Sequence, residues 1–516
     1  MTTALDGTTI ANSMVLRKSL SALAQATAIL RCVVALYLGW LSPVYAAQHV
    51  SLAWDAEREV VGYRLHCGTA SHNYTQIQDV GNATMATVSN LTAGQIYYFA
   101  VTAYNAVAES LPSNEVSFRA TMDAPMLAMQ KLPNGNVRLS VTDAVGETDS
   151  VYVSSDLQKW TRLATALNKT GTLVVNDPDA QSMDRRFYRL TDKTAVTDPV
   201  GFTTLPIAGA SRSGPRAFSF LGISLMNPVS YQGEITSSGN HSVTDVNAVW
   251  TANEFNGANG EFFIEIVSGR YAGLMTDILA TNVIGKTLTT YDDLSPLLKG
   301  SELYRIRRHR TLRDVFGEDD ETLTGGASVS EADEVLVLNP VTQTFLTFYF
   351  KTGGFGGTGW RSATDAVTDA AGTTLYPDQG VVIVRKVPGE IGLILTGAVK
   401  SGPTQVPVES NLNLVANLYP AGTLTLGSSG LYTGNSHTGL AGGTATTADQ
   451  VLLFDPATGA YSLYYFKTSG LGGTGWRSAA NTRVDASNTV LPTTGAIFIK
   501  RLENRASFLW TMPQPY

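Results

Sequence analysis

Two short stretches hold the residue types best suited to meet a ligand. Trp360 and Arg361 close the glycine loop GGFGGTG at residues 353–359, and Trp476 and Arg477 close GLGGTG at residues 470–475. An indole face beside a guanidinium can stack on a sugar ring and bond its hydroxyls, or hold a carboxylate. Trp360, Arg361, Trp476 and Arg477 are therefore the candidate ligand-binding residues. The competing reading is that each tryptophan fills its own repeat's core while each arginine caps a turn. That reading is preferred, because duplication is what a structural loop predicts as well.

Other chemistry is sparse. The glycine spacing meets a dinucleotide fingerprint, but that motif needs a strand before it and a helix opening from it to face the pyrophosphate. Here Trp-Arg-Ser follows and no amphipathic helix does, so no cofactor is assigned. The histidines beyond residue 46 are His49, His66, His72, His241, His309 and His437, and they show no HExxH spacing; no Gly-x-Ser-x-Gly elbow exists. No catalytic residue is assigned, although distant strands could still bring a glycosidase carboxylate pair together. The acidic turn Gly317 to Thr322 lacks the alternating spacing of a calcium loop, and no metal is assigned.

Charge narrows the partners. The formal net charge is −7, and it becomes more negative once Arg17, Lys18 and Arg31 of the N-terminal segment are set aside. Nucleic acid and anionic lipid are thus poor partners. The basic run Arg305, Arg307, Arg308, His309, Arg310 and Arg313 stands close to Glu318, Asp319, Asp320 and Glu321, which reads as local salt bridging.

Residues 1–46 read as a signal peptide, with basic Arg17 and Lys18, an apolar run from Cys32 to Leu41 and cleavage after Ala46. Met14 is the expected start. The apolar run is far shorter than the roughly 20 residues needed to cross a bilayer, so the mature chain is expected to have no transmembrane helix. Secretion or display at the cell surface follows. Of the two cysteines, Cys32 falls in the leader, which leaves Cys67 as a small half-buried strand residue with no disulfide partner.

The elements that must position the two loops are strands. From Gln48 onward apolar residues alternate with a period of two in short runs rich in Val, Ile, Phe and Tyr, bounded by Gly, Pro, Asn or Asp. The fold class is all-β. The segment DEVLVLNPVTQTFLTFYFKTGGFGGTGWRSA from Asp333 returns as DQVLLFDPATGAYSLYYFKTSGLGGTGWRSA from Asp449, an offset of 116. After one deletion, YPDQGVVIVRK aligns with LPTTGAIFIKR. Two similar β units are expected, packed with pseudo-twofold symmetry.

Residues 50–119 resemble a fibronectin type III domain, through Trp54 in VSLAWDA, Tyr63 in VVGYRL, and LTAGQIYYFAVTAYNAVAESLPSNEV with its Leu91 and Tyr97. The resemblance implies a β-sandwich in which these residues are core; the family's integrin tripeptide is absent, so no cell-adhesion role follows. Residues 122–192 read as a second small β-sandwich, carried by VYVSSDLQKWTRL and RRFYRL, and resemble a module found beside type III domains in large secreted bacterial proteins. Thr191 to Pro199 reads as a linker. Residues 201–502 resemble a Verrucomicrobia-type family of secreted bacterial proteins without an assigned activity, through the GGTGWRSA loops, TLRDVFG and NLNLVANLYPAGTLTLGSSGLYTG.

The expected organisation is a signal peptide at 1–46, a type III domain at 47–120, a small sandwich at 121–195, and β-rich repeats at 196–400 and 401–516. The expected function is binding or scaffolding without catalysis, toward polysaccharide or another surface protein. An extracellular carbohydrate-active enzyme and a structural envelope component are the alternatives.

Overall fold

The computed structural model describes residues 48–516 except positions 55, 58–59, 92–95, 120–124, 144, 192–195, 212–213, 215, 252, 258–260 and 504. The expected leader, with its cleavage site after Ala46, lies outside the described residues. Strands dominate, as the period-two pattern requires, and among the described residues the only α-helix is the short Leu312–Phe316. No helix among them is long and apolar enough to cross a membrane. The chain divides into two compact units, residues 1–121 and 122–516.

The first unit pairs Gln48–Ala53 with Met85–Leu91 in one sheet and orders Gln76–Gly81, Gly62–Gly68, Ile96–Tyr104 and Val116–Arg119 in another. Alternation along Gly62–Gly68 turns Leu65 and Cys67 inward to meet Phe99, with Val50, Leu52, Val88 and Tyr97 packed around them. Trp54 lies against Tyr63 at 5.8 Å between ring centroids. Cys67 is buried, and that burial pushes its thiol pKa up.

In the second unit, Met126–Lys131, Val137–Thr142 and Thr172–Asp177 form a three-stranded sheet. It packs on the six-stranded sheet ordered Thr161–Leu167, Thr148–Ser154, Arg185–Thr191, Val200–Ile207, Ile391–Val399 and Leu225–Met226. Buried Val137, Leu139, Val151, Leu190 and Phe202 fill the space between the two sheets. The second sheet runs from the small sandwich straight into the repeat region, so the boundary expected at residue 195 crosses a continuous hydrogen-bonded layer. Thr191 to Pro199 is correspondingly not a linker. Thr197 donates its backbone N–H to Leu190 O, and the flanking strands Arg185–Thr191 and Val200–Ile207 pair antiparallel within one sheet. A polar, proline-ended connection between paired strands and a linker between domains have the same composition, and only the pairing separates them.

The duplicated region builds two five-stranded sheets of one design. The first is ordered Ala217–Leu221, Val381–Arg385, Glu334–Asn339, Thr344–Thr352, Thr358–Ser362. The second is ordered Asn411–Ala416, Ala496–Arg501, Gln450–Asp455, Ala460–Lys467, Gly475–Ser478. Register fixes the equivalence. Val335 pairs with Ile383 and Val451 pairs with Ile499, which keeps the offset of 116 through the last strand and removes the single deletion expected from matching Gly380 to Gly495. The strand pattern in this segment is apolar at every position, so sliding it by one residue cost nothing in sequence but would turn each side chain to the opposite face.

The two sheets meet through reciprocal contacts. Phe220 of the first packs on Phe454 and Phe498 of the second, while Leu414, which holds the matching position in the second, clusters with Leu338 and Val382 of the first. Leu221 bridges to Gly495, and Val415 bridges to Gln379 in the same exchanged sense. Such mutual i-to-j and j-to-i pairing is what a local twofold axis produces.

Repeat 1 has an insertion that repeat 2 lacks. Phe218 opposes Val384 as Leu412 opposes Lys500, so these first strands are 194 residues apart while their partners are 116 apart, a difference of 78 residues. Those residues form the seven-stranded sheet that begins with Val229–Glu234 and returns on Leu303–Arg308, antiparallel neighbours. Trp250, Phe255, Ile264, Tyr304 and Ile306 give it a core of its own. A buried ion cluster ties it to the rest, with Glu265 2.6 Å from Lys400 and 3.5 Å from Arg307.

Candidate functional site: the twin glycine loops

Each loop joins the last two strands of its five-stranded sheet. Phe350 opposes Trp360, and Phe466 opposes Trp476, so period-two alternation sends both members of each pair to the core side. The rings meet nearly perpendicular at 5.8 Å in both repeats. Trp360 is 1% exposed and Trp476 3% exposed. Trp360 also donates its indole N–H to Gly317 O at 2.8 Å, which pins the end of the Leu312–Phe316 helix. Neither indole offers a face on which a ligand could stack.

The arginines are equally internal. Arg361 donates to Trp360 O at 2.7 Å and Gly356 O at 2.6 Å; Arg477 donates to Trp476 O at 2.7 Å and Gly472 O at 2.5 Å. A carboxylate eight residues on completes each set, Asp369 at 3.5 Å and Asp485 at 3.1 Å. A guanidinium whose fork already grips its own loop's carbonyls supports the backbone from beneath.

A lysine does the same from the other side of each loop. Lys351 donates to Phe355 O and, at 3.1 Å, to Ala366 O; Lys467 donates to Leu471 O and, at 3.2 Å, to Thr482 O. Both lysines were visible as matched positions of the repeat, and their distance from the Trp-Arg pair along the chain hid their role. Gly356 and Gly472 make the close approach possible. Their φ angles are +91° and +90°, and a Cβ would stand 2.5 Å from Ala366 O in the first loop and 2.9 Å from Arg483 Cα in the second.

The result is a pair of pedestals with apolar tips. Phe355 is 86% exposed and Leu471 78% exposed, at positions again 116 apart. These tips, rather than the tryptophans behind them, are what the loops present to solvent. An apolar residue among glycines carries no chemical signature in sequence, and only its exposure in the fold distinguishes it from a core residue.

A second repeated device lies at the other end of each sheet. Asp333 accepts from Arg385 Nε at 3.2 Å, from Thr324 N at 3.0 Å and from Lys386 N at 2.9 Å. Asp449 accepts from Arg501 at 3.0 Å, Ala441 N at 2.8 Å, Leu502 N at 3.0 Å and also Arg505 at 2.9 Å. Both carboxylates are completely buried within charge-assisted bonds.

The basic run from Arg305 is resolved residue by residue. Arg313 pairs locally with Glu318 at 3.1 Å, whereas Arg305 reaches Asp198 at 2.7 Å, Arg307 faces Glu265, and Arg310 donates to Leu225 O at 2.7 Å. Arg305 and Arg307, two apart on one strand, share a face, and the neighbouring layers, rather than the nearby acidic turn, supply their partners. His309 meets Asp277 at 2.9 Å, and Tyr376 donates to the other oxygen of that carboxylate at 3.2 Å. Burial, reinforced by Asp277, pushes the Tyr376 phenol up to about 12. Among the described residues no group of three His, Cys, Asp or Glu side chains is arranged to hold a metal.

Residues 44–119 match the model of the fibronectin type III domain family. A Kelch domain-containing protein of Saccharolobus solfataricus is 33% identical over 95 residues, which are 18% of this chain and 13% of that protein. The chain thus spans only a small part of that curated relative. Among solved structures, a two-domain fibronectin type III segment of chicken tenascin is similar at 14% identity and a TM-score of 0.22, covering 30% of this chain and 91% of that one. The chicken interferon gamma receptor alpha chain is similar at 11% identity and a TM-score of 0.18, over 30% and 90% of the two chains. The family match, the Trp54–Tyr63 contact and the Leu65–Cys67–Phe99 core agree: this all-β chain carries a fibronectin type III domain at residues 44–119.

Proposed function

We propose that this protein is exported and acts at the cell surface without catalysis, its type III domain serving as spacer or docking module and its duplicated tail as the head that meets a polysaccharide or another surface protein. The observation that carries this reading is the use made of the repeated charged side chains. Lys351, Arg361, Asp333 and their counterparts Lys467, Arg477 and Asp449 are all engaged by backbone carbonyls, backbone N–H groups or an oppositely charged side chain. Duplication here preserves tethers, which supports a binding or scaffolding role. The resemblance of residues 201–502 to secreted bacterial proteins supports the same reading.

The test follows the full chain in a bacterial host. The mature protein is expected in the envelope or medium with Ala47 as its N-terminus, and retention of the unprocessed chain in the cytosol removes export from the account. Incubation with a panel of insoluble polysaccharides is expected to give saturable retention without release of reducing sugar.

One grouping favours a second reading, an extracellular carbohydrate-active enzyme. His309, Asp277 and Tyr376 converge at the junction of the inserted sheet and repeat 1, beside Arg308 and Arg310. Sugar release by the full chain, abolished in His309→Ala with folding retained, would establish it.

A further inference from the structure

The twin tips carry an inference about how the protein is held at a surface, one that rests on the export proposed above. Three observations meet there. The first is exposure: Phe355 and Leu471 are among the most solvent-exposed large apolar residues of the second unit, at 86% and 78%. An isolated exposed apolar residue needs no explanation, but two at equivalent positions of a duplicated device do.

The second is support. Each tip carbonyl accepts from a lysine, and the next carbonyl along accepts from an arginine. Each loop repeats the same left-handed glycine conformations, at Gly354, Gly356, Gly357 and Gly359 and again at Gly470, Gly472, Gly473 and Gly475. The loop is therefore held in one shape from within, and the tip is presented rather than left to collapse onto the sheet.

The third is the identity of the tips. A sugar ring is recognised by a flat aromatic face, which leucine lacks. A shaped protein pocket distinguishes phenylalanine from leucine, since a change of side-chain shape in a packed site is costly. A hydrocarbon phase accepts both, because the hydrophobic effect is non-directional and follows apolar area. The reciprocal contacts of the two sheets relate the loops by a local twofold axis, which places both tips at the same height along it. Tips at one height are able to meet a single flat surface laid across that axis.

We infer that Phe355 and Leu471 are paired anchors that insert into the interfacial region of a lipid surface. The lipid is zwitterionic rather than anionic, because the chain bears a net charge of −7 and the cations beneath the tips are engaged by carbonyls. Among the described residues no helix is able to span a bilayer, so this gives the protein a reversible means of attachment. Two such anchors give weak attachment individually and a useful one together, since binding of the second tip becomes intramolecular once the first has entered.

The experiment is sedimentation of the full chain with phosphatidylcholine vesicles, comparing the native protein with Phe355→Ser, Leu471→Ser and the double variant. Both tips point to solvent, so these variants are expected to fold, which circular dichroism and melting check. The native chain is expected to partition onto vesicles with little dependence on salt, each single variant to lose roughly fivefold, and the double variant to lose more than tenfold in partition coefficient. Failure of the native chain to sediment overturns the inference, as does equal sedimentation of the double variant. Binding that appears only on phosphatidylserine vesicles and vanishes with salt overturns it too, by assigning attachment to charge. So does a co-purifying protein whose retention depends on the tips while vesicle binding does not. Since purified protein is used, a negative result leaves export untouched, and cytosolic retention in cells leaves the vesicle result standing.

Discussion

Repeat 1 and repeat 2 agree on the inside of the glycine loop and diverge on the outside. Arg361 and Arg477, and Lys351 and Lys467, hold equivalent partners at nearly the same distances, and Trp360 and Trp476 meet Phe350 and Phe466 in the same near-perpendicular way. The exposed positions changed: Phe355 against Leu471, and half-exposed Val367 in the place matched by Arg483. Packing constrains a position through many contacts at once, whereas a solvent-facing position is constrained only by what it meets. The comparison teaches that the Trp-Arg signature, conspicuous in sequence, marks what supports the loop, and that function is to be sought where the copies are free to differ.

The comparison is broken most directly at the tryptophans. Trp360→Ala and Trp476→Ala are each expected to destabilise the second unit by about 3–5 kcal/mol, as truncation of a fully buried aromatic does. Chemical denaturation measures this, and a loss under 1 kcal/mol would return the indoles to the list of ligand platforms.

The next largest effect falls on the buried carboxylates, where removing one partner of an ion pair leaves the other uncompensated. Asp333→Asn and Asp449→Asn are expected to cost about 3 kcal/mol, with Asp449 the more sensitive because it also holds Arg505. Equal losses would show that the extra arginine contributes nothing.

Lys351→Met and Lys467→Met each free two loop carbonyls and are expected to cost about 1–2 kcal/mol. Hydrogen exchange should speed up in residues 353–359 or 470–475 while the sheets stay protected; uniform speeding would argue against a local support.

The insertion breaks the symmetry of the two repeats, and alkaline titration probes its junction with repeat 1. The Tyr376 phenol is raised from 10.0 to about 12. Its neutral form is the one the fold favours, so this stabilisation is complete below pH 10 and is lost as pH rises toward 12. Tyr376→Phe is expected to flatten that decline, read as melting temperature against pH. Smallest of all, Phe355→Ser and Leu471→Ser should leave stability within about 0.5 kcal/mol of the native chain, as exposed positions do. A larger loss would mean that the tips pack on the protein itself.

Much of the fold was legible because alternation and turn residues are local properties. The strands, the buried type III residues Tyr63 and Leu91, and the duplication all follow from residue patterns read along the sequence. Of the candidate site, residue types and spacing identified the loops but not their orientation. Trp360 on a surface and Trp360 in a core have the same neighbours in sequence, and burial depends on strands contributed by residues as far away as Ala217–Leu221 and Val381–Arg385.

Short strands, a duplicated tail and a fibronectin type III domain at residues 44–119 are all written in local sequence patterns. The packing of distant strands was needed to learn that Arg185–Thr191 and Val200–Ile207 pair within one continuous sheet, that repeat 1 accommodates an inserted sheet, and that the loops turn their tips rather than their tryptophans outward. The reason is physical. Alternation says which residues share a face, but which face is covered depends on a partner layer that the chain supplies from far along its length.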